Sequence, residues 1–173
     1  MPSRQDGPGT RMARQLPAIQ ERRHLMKRHR VIGTSEAAIR AAEIQLNREL
    51  PKSFSDWLLT HNGLGDREAL IFPIYDARDP RKTWDSIVRH FTWDWQQWQE
   101  NFSDEPHDFS GLLPFAEFGT GDYYCFDYNT IGGAGEPVVV LWRHETGQTR
   151  KIADNFAAFL RMPSSTRLGE PWP

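Results

Sequence analysis

At 173 residues, with 38% hydrophobic and 12% aromatic content, the chain has enough apolar mass for one well-filled core and too little length for two domains. Its one cysteine, Cys125, excludes an intramolecular disulfide and a paired-cysteine zinc site, and no apolar run approaches the roughly 20 residues that span a bilayer. The net charge of -2 conceals a segregation: Met1–Arg30 carries eight Lys/Arg against two acids, whereas residues 90–142 carry nine acids and neither Lys nor Arg.

Residues 1–30 are rich in Arg, Gly and Pro and poor in large apolar side chains. Such a segment cannot bury enough surface to offset the entropy of ordering it, so a flexible tail is expected. Met12 and Met26 are alternative starts, and an Arg-rich, acid-poor leader also looks like a transit peptide. Its basic clusters are the one part of the chain suited to direct contact with nucleic acid. The N-terminus lacks the apolar segment of a secretory signal, which makes the cytosol the default address.

Thr34 or Ser35 can cap a helix whose Ile39, Ala42, Leu46 and Leu50 fall at helical spacing. Pro51 ends it and opens a second, in which Phe54, Trp57, Leu58 and His61 share a face before Asn62-Gly63 stops the helix. Residues 69–75 read as a short strand, followed by a polar loop through Asp79-Pro80. A long helix comes next. Trp84, Ile87, Val88, Phe91, Trp95, Trp98 and Phe102 form a wide apolar stripe, with Asp85, His90, Asp94 and Gln97 off it and Trp93 displaced onto the surface.

After a loop bearing Pro, Gly and Ser, residues 112–117, 123–128 and 137–143 look like strands, with Gly132-Gly133 between the last two. The turn 145–148 folds residues 149–152 back onto the Val138 strand, and residues 153–160 form a closing helix with Asp154 near its start. Helices, a mainly antiparallel sheet with helices packed against it, and a C-terminal helix make an α+β fold.

Little of this points to chemistry. Asp122 and Asp127 stand five residues apart on one strand and face opposite ways, so they do not converge as a catalytic pair. Asp122 fits a turn carboxylate that caps backbone N–H groups. Cys125 lies among apolar neighbours with no base nearby in sequence, which suits a buried, inert thiol. The six histidines are dispersed without ligand spacing, and no phosphate-cradling loop or nucleophile elbow is present; Gly132-Gly133-Ala134-Gly135 reads as an inter-strand connection. No catalytic residue, cofactor or metal site is expected. What stands out is the acidic stretch, which is either a face that steers a basic partner or a solvated surface that keeps the protein soluble.

Several blocks occur in a characteristic order: Leu50-Pro51 through Trp57-Leu58 to His61-Asn62-Gly63; Leu113-Pro114-Phe115-Ala116; Gly119-Thr120-Gly121-Asp122-Tyr123-Tyr124-Cys125-Phe126-Asp127; Pro137 to Val140; and Ile152 through Asn155-Phe156 to Leu160. Together they resemble the SUKH superfamily of Smi/Knr-like proteins, over roughly residues 33–160. The resemblance implies a domain at 31–162 between tails at 1–30 and 163–173. It further implies a non-catalytic, cytoplasmic immunity protein that neutralises a toxin from neighbouring cells. The alternative is a regulatory or scaffold module like the yeast cell-wall synthesis regulator of the same superfamily. Nuclease toxins are basic, so the acidic stretch points to a nuclease as the partner, with no membrane involved. The contacts expected are Asp104, Glu105 and Asp108 in the loop after the long helix, with Trp93 as an aromatic anchor, and then Asp122, Tyr123 and Tyr124.

Overall fold

A computed structural model describes residues 33–63, 69–104, 106–119 and 121–163. The expected basic tail, all but the first residue of the expected C-terminal tail, and Glu105 lie outside them. Helix α1 (Glu36–Leu46) begins where Ser35 leaves extended backbone and its Oγ accepts the Ala38 N–H at 3.2 Å. Of the two candidate caps, Ser35 takes the role, because the Thr34 hydroxyl is turned away to donate to Asp76 Oδ2 at 2.9 Å. Ile39, Ala42, Leu46 and Leu50 are all buried, as their spacing requires. Helix α2 (Lys52–His61) follows Pro51, buries Phe54 and Leu58 completely, and stacks Trp57 on His61 at its rim.

Strand β1 (Leu70–Ile71) has two residues where the sequence suggested seven. Phe72 still donates to the Phe115 carbonyl at 2.9 Å, but Pro73 has no N–H to extend the ladder. The Asn62 side chain then satisfies both backbone groups of Ile74, at 2.8 and 3.0 Å. The polar loop that follows holds a single helical turn, α3 (Pro80–Thr83).

The expected long helix starts later and is not uniform. Helix α4 (Ile87–Arg89), capped by Ser86, runs into a π-helical stretch (His90–Asp94) and then into α5 (Trp95–Glu100). In the π stretch the Trp95 N–H reaches back five residues to the His90 carbonyl, and this wider turn lets one extra side chain rotate inward. That side chain is His90, which the apolar stripe left outside; it is 7% exposed and lies flat on Phe72, ring centres 3.6 Å apart. Trp84, expected on the buried stripe, is exposed instead, with the Arg89 guanidinium 4.8 Å from its ring centre.

Strands β2 (Leu112–Phe118), β3 (Asp122–Ile131), β4 (Pro137–Trp142) and β5 (Thr149–Ala153) join β1 in one antiparallel sheet, in chain order. The β4–β5 hairpin is the one expected, with Gly147 at φ 66° in its turn. Helix α6 (Phe156–Arg161) is capped by Asn155, whose Oδ1 accepts the Ala158 N–H at 2.8 Å, while Asp154 pairs with Lys151.

Both faces of the sheet are buried, and alternation along β3 explains the run of aromatics there. Phe126 meets Phe54 of α2 and Phe156 of α6, and Tyr124 meets Phe159 of α6. Tyr123 points the opposite way, against Trp95, Phe72 and Trp142. Removing one such buried ring costs roughly 3–5 kcal/mol, so the sheet is held from both sides by comparable aromatic clusters. Helices on two faces of an antiparallel sheet make the α+β architecture that the sequence pattern implied. Cys125 is fully buried within this sheet, and burial pushes its thiol pKa well up.

Candidate functional site: two grooves beside the π-helical stretch

The short connection after β2 fixes the register of the strands it joins. It sets Phe118 opposite Asp122 and Glu117 opposite Tyr123, so Glu117 and Tyr123 sit side by side on the face that α5 covers. The helical segment crosses beside them and contributes Asp94, Trp98 and Glu100, with His90 at the edge. The result is a groove of about 630 Å³. Three carboxylates converge there, and their environments differ. Asp94 is tied to Arg89 Nη1 at 3.4 Å and to His90 Nδ1 at 2.9 Å. Among the described residues, no cation lies within ion-pair distance of Glu100 or Glu117.

The groove wall is aromatic. Tyr123 is 5% exposed, and burial pushes its phenol up to about 12, helped by Glu117 and Asp94 and opposed by a hydrogen bond from the Trp98 side chain. It therefore stays a neutral phenol. Trp98 is half-buried, edge-on to Trp142 and His144. Around His90, Asp85 Oδ1 and Asp94 Oδ2 approach the two ring nitrogens to 3.2 and 2.9 Å. The two ring nitrogens are thus flanked by carboxylates and closed off from solvent.

A second groove, of about 560 Å³, opens on the other side of the segment. Its floor is Ala38 and Ala42 of α1 with Ile74, and its rim holds Tyr75 and Trp93. Trp93 is 62% exposed. Neighbouring residues of the π-helical stretch thus serve different surfaces, Trp93 the apolar groove and Asp94 the acidic one.

The residues singled out in the sequence fall into four places. Tyr123 lines the acidic groove and Trp93 the apolar one. Asp104 and Asp108 are exposed on the loop after α5, where the Ser110 hydroxyl and N–H hold the Asp108 carboxyl below its ordinary pKa. Glu105 lies outside the described residues. Asp122 and Tyr124 are turned inward. Asp122 Oδ1 accepts the His144 N–H at 3.1 Å and lies 2.7 Å from His144 Nδ1, while Oδ2 faces Arg143 Nε at 3.4 Å. This is the turn-capping role its glycine-flanked position suggested, and it ties the start of β3 to the β4–β5 turn. Tyr124 has no exposed surface; its ring is packed by Phe115, Phe118 and Phe159. Neither residue presents itself to a partner on this surface, because one has its oxygens engaged and the other is enclosed.

Of the groove residues only Tyr123 was among the contacts expected from sequence; His90, Asp94, Trp98, Glu100 and Glu117 were not. The signal for Glu117 was present: a three-residue connection between two strands sets it directly across from Tyr123. Two other members of the acidic stretch have structural duties, Glu136 accepting from Ser53 N–H at 2.7 Å and Asp127 from Asn129 N–H at 3.0 Å. Five strand residues, about 16 Å, separate Asp122 from Asp127. Among the described residues, no group of three or more His, Cys, Asp or Glu is placed to hold a metal ion, and no helix is long and apolar enough to cross a membrane.

No curated protein matches the chain. The family model of the SMI1 / KNR4 family (SUKH-1) matches residues 33–162, which take in every helix and strand described above. With three quarters of its length covered, the chain belongs to the SMI1 / KNR4 family (SUKH-1).

Proposed function

We propose that this chain is a non-catalytic immunity protein that binds a cognate toxin, a basic nuclease domain, in the cytosol. The observation that carries this reading is the acidic groove, where Asp94, Glu100 and Glu117 converge and Glu100 and Glu117 have no paired cation among the described residues. Uncompensated carboxylates in a concavity focus negative potential outward and speed the approach of a basic partner. Nuclease surfaces are basic because they hold phosphate backbones, so an acidic face presents them with the charge of their own substrate. The exposed Asp104 and Asp108, with Glu105 between them in sequence, add negative charge on the loop after α5, and Trp93 offers the kind of aromatic anchor that tight interfaces bury at their centres. Family membership is consistent with the immunity role.

The test is co-expression of the chain with the toxic C-terminal domain encoded beside its gene, scored by cell survival and by co-purification. Rescue with a stable complex is the expected result; unrescued killing with no complex refutes the immunity reading. A second reading, a regulatory or scaffold module, is favoured by the apolar groove around Trp93 and Tyr75, which does not depend on charge. It predicts capture of an endogenous partner that is lost in Trp93→Ala and indifferent to salt.

A further inference from the structure

His90 is 7% exposed, with its ring flat on Phe72 and a carboxylate at each nitrogen, Asp94 Oδ2 2.9 Å from Nδ1 and Asp85 Oδ1 3.2 Å from Nε2. It is also the residue that the widened turn rotates inward, and π-helical turns of this kind concentrate at functional sites. We infer that His90 is a proton-operated latch: its second ring proton sets how firmly the π-helical stretch, with Trp93 and Asp94 on it, is held. The device belongs to the chain by itself and does not depend on what partner it meets.

Two carboxylates call for two donors. A neutral imidazole has one N–H and one lone pair, so one of the contacts sets a lone pair against a carboxylate; the imidazolium can donate from both nitrogens. Burial works against a charged ring and the carboxylates work for it, so the second proton is held only while Asp85 and Asp94 both stay in contact. Arg89 Nη1 joins the same two carboxylates, at 3.0 and 3.4 Å, and so ties the residue before the cap of α4 to the last residue of the π stretch. With the second proton, Arg89 and His90 balance Asp85 and Asp94 in charge; without it, one negative charge is left over. The other surroundings leave this balance in place. Phe72 is apolar, Tyr123 stays a neutral phenol, and α1 presents Ala38, Ala41, Ala42 and Gln45 across the apolar groove. Glu100 and Glu117 border the same groove as His90 and, as further negative charges, favour the proton. Histidine changes charge between about pH 5 and 8, so rising pH across this range loosens the stretch and falling pH tightens it.

The test is a pH titration of the full chain from about pH 8 to 5.5, the range in which histidine changes charge, followed by NMR. The signals are the His90 ring protons and the Trp93 indole N–H, assigned through His90→Phe and Trp93→Phe. In the parent chain the two move along one curve. In His90→Phe, which keeps a ring on Phe72, the Trp93 movement is lost. In the double variant Asp85→Asn, Asp94→Asn the histidine still titrates and Trp93 no longer follows it; this variant decides the matter if His90→Phe fails to fold. A Trp93 signal that stays still while His90 titrates overturns the latch, and so does a His90 ring that does not titrate in this range. Trp93 movement that survives in His90→Phe, or in the double variant, assigns the response to another group and also overturns it.

Discussion

Asp76 shows how one buried carboxylate can hold three segments together. Its oxygens take the Thr34 hydroxyl at the start of α1, the Arg78 N–H and the Arg78 guanidinium, while its own N–H donates to Thr83 at 2.9 Å. Arg78, and to a lesser degree Thr34, hold this carboxyl well below the usual carboxylate range, against the opposing effect of burial. Folding therefore favours the ionised form. The stabilisation is present in full above the unfolded pKa of about 3.9 and is lost as pH falls from there toward the folded value. Asp76→Asn removes the charge-assisted bonds and costs about 2 kcal/mol at neutral pH, and it flattens the acid limb of a stability–pH profile measured by urea unfolding. An unchanged limb would assign acid sensitivity to other carboxylates. The Arg78 side chain is itself half exposed, so water screens that ion pair and holds the loss to this modest size.

At the scale of elements, the β3–β4 connection separates glycines that sequence treats alike. A Cβ on Gly132 would lie 2.2 Å from the Asp154 carbonyl oxygen, whereas one on Gly133 would meet nothing within 4 Å. Gly132→Ala should cost roughly 2 kcal/mol through forced backbone displacement, and Gly133→Ala should stay within about 0.5 kcal/mol of the parent. Equal thermal midpoints for the two variants would show that the connection yields freely, as its glycine content alone suggested. The same contrast explains what was legible in advance. Helices α1 and α2 and the β4–β5 hairpin follow from neighbours within a few residues, and local chemistry decides them. The inward turn of His90 does not. It depends on Phe72, far away in sequence, offering a ring to stack on, and on the helix widening by one residue to reach it. A 3.6-residue stripe cannot register an i to i+5 turn, so His90 looked exposed; Trp84 looked buried because the helix begins only at Ile87. The acidic groove was invisible for the same reason, since it needs a strand register and a helix crossing at once.

Across the whole molecule, the acidic stretch divides into carboxylates with different duties, and kinetics can tell them apart. Asp122, Asp127 and Glu136 are engaged within the fold, Glu100 and Glu117 face the groove, and Asp104 and Asp108 stand on an exposed loop. An exposed charge acts before docking, by steering the encounter, and its effect is screened beyond a Debye length of about 8 Å at physiological salt. A charge enclosed on docking acts afterwards, by resisting separation. Reversing Asp104, Glu105 and Asp108 to Lys should therefore slow association with the cognate toxin domain by about tenfold at low ionic strength, leave dissociation nearly unchanged, and flatten the salt dependence of the on-rate. Glu100→Gln with Glu117→Gln should instead quicken dissociation, with a smaller effect on association. Surface-captured toxin, with both rate constants measured across a salt series, separates the two. If the loop reversal leaves association and its salt slope untouched, the loop is a solvated surface, and the binding charge of this family member lies in the groove alone.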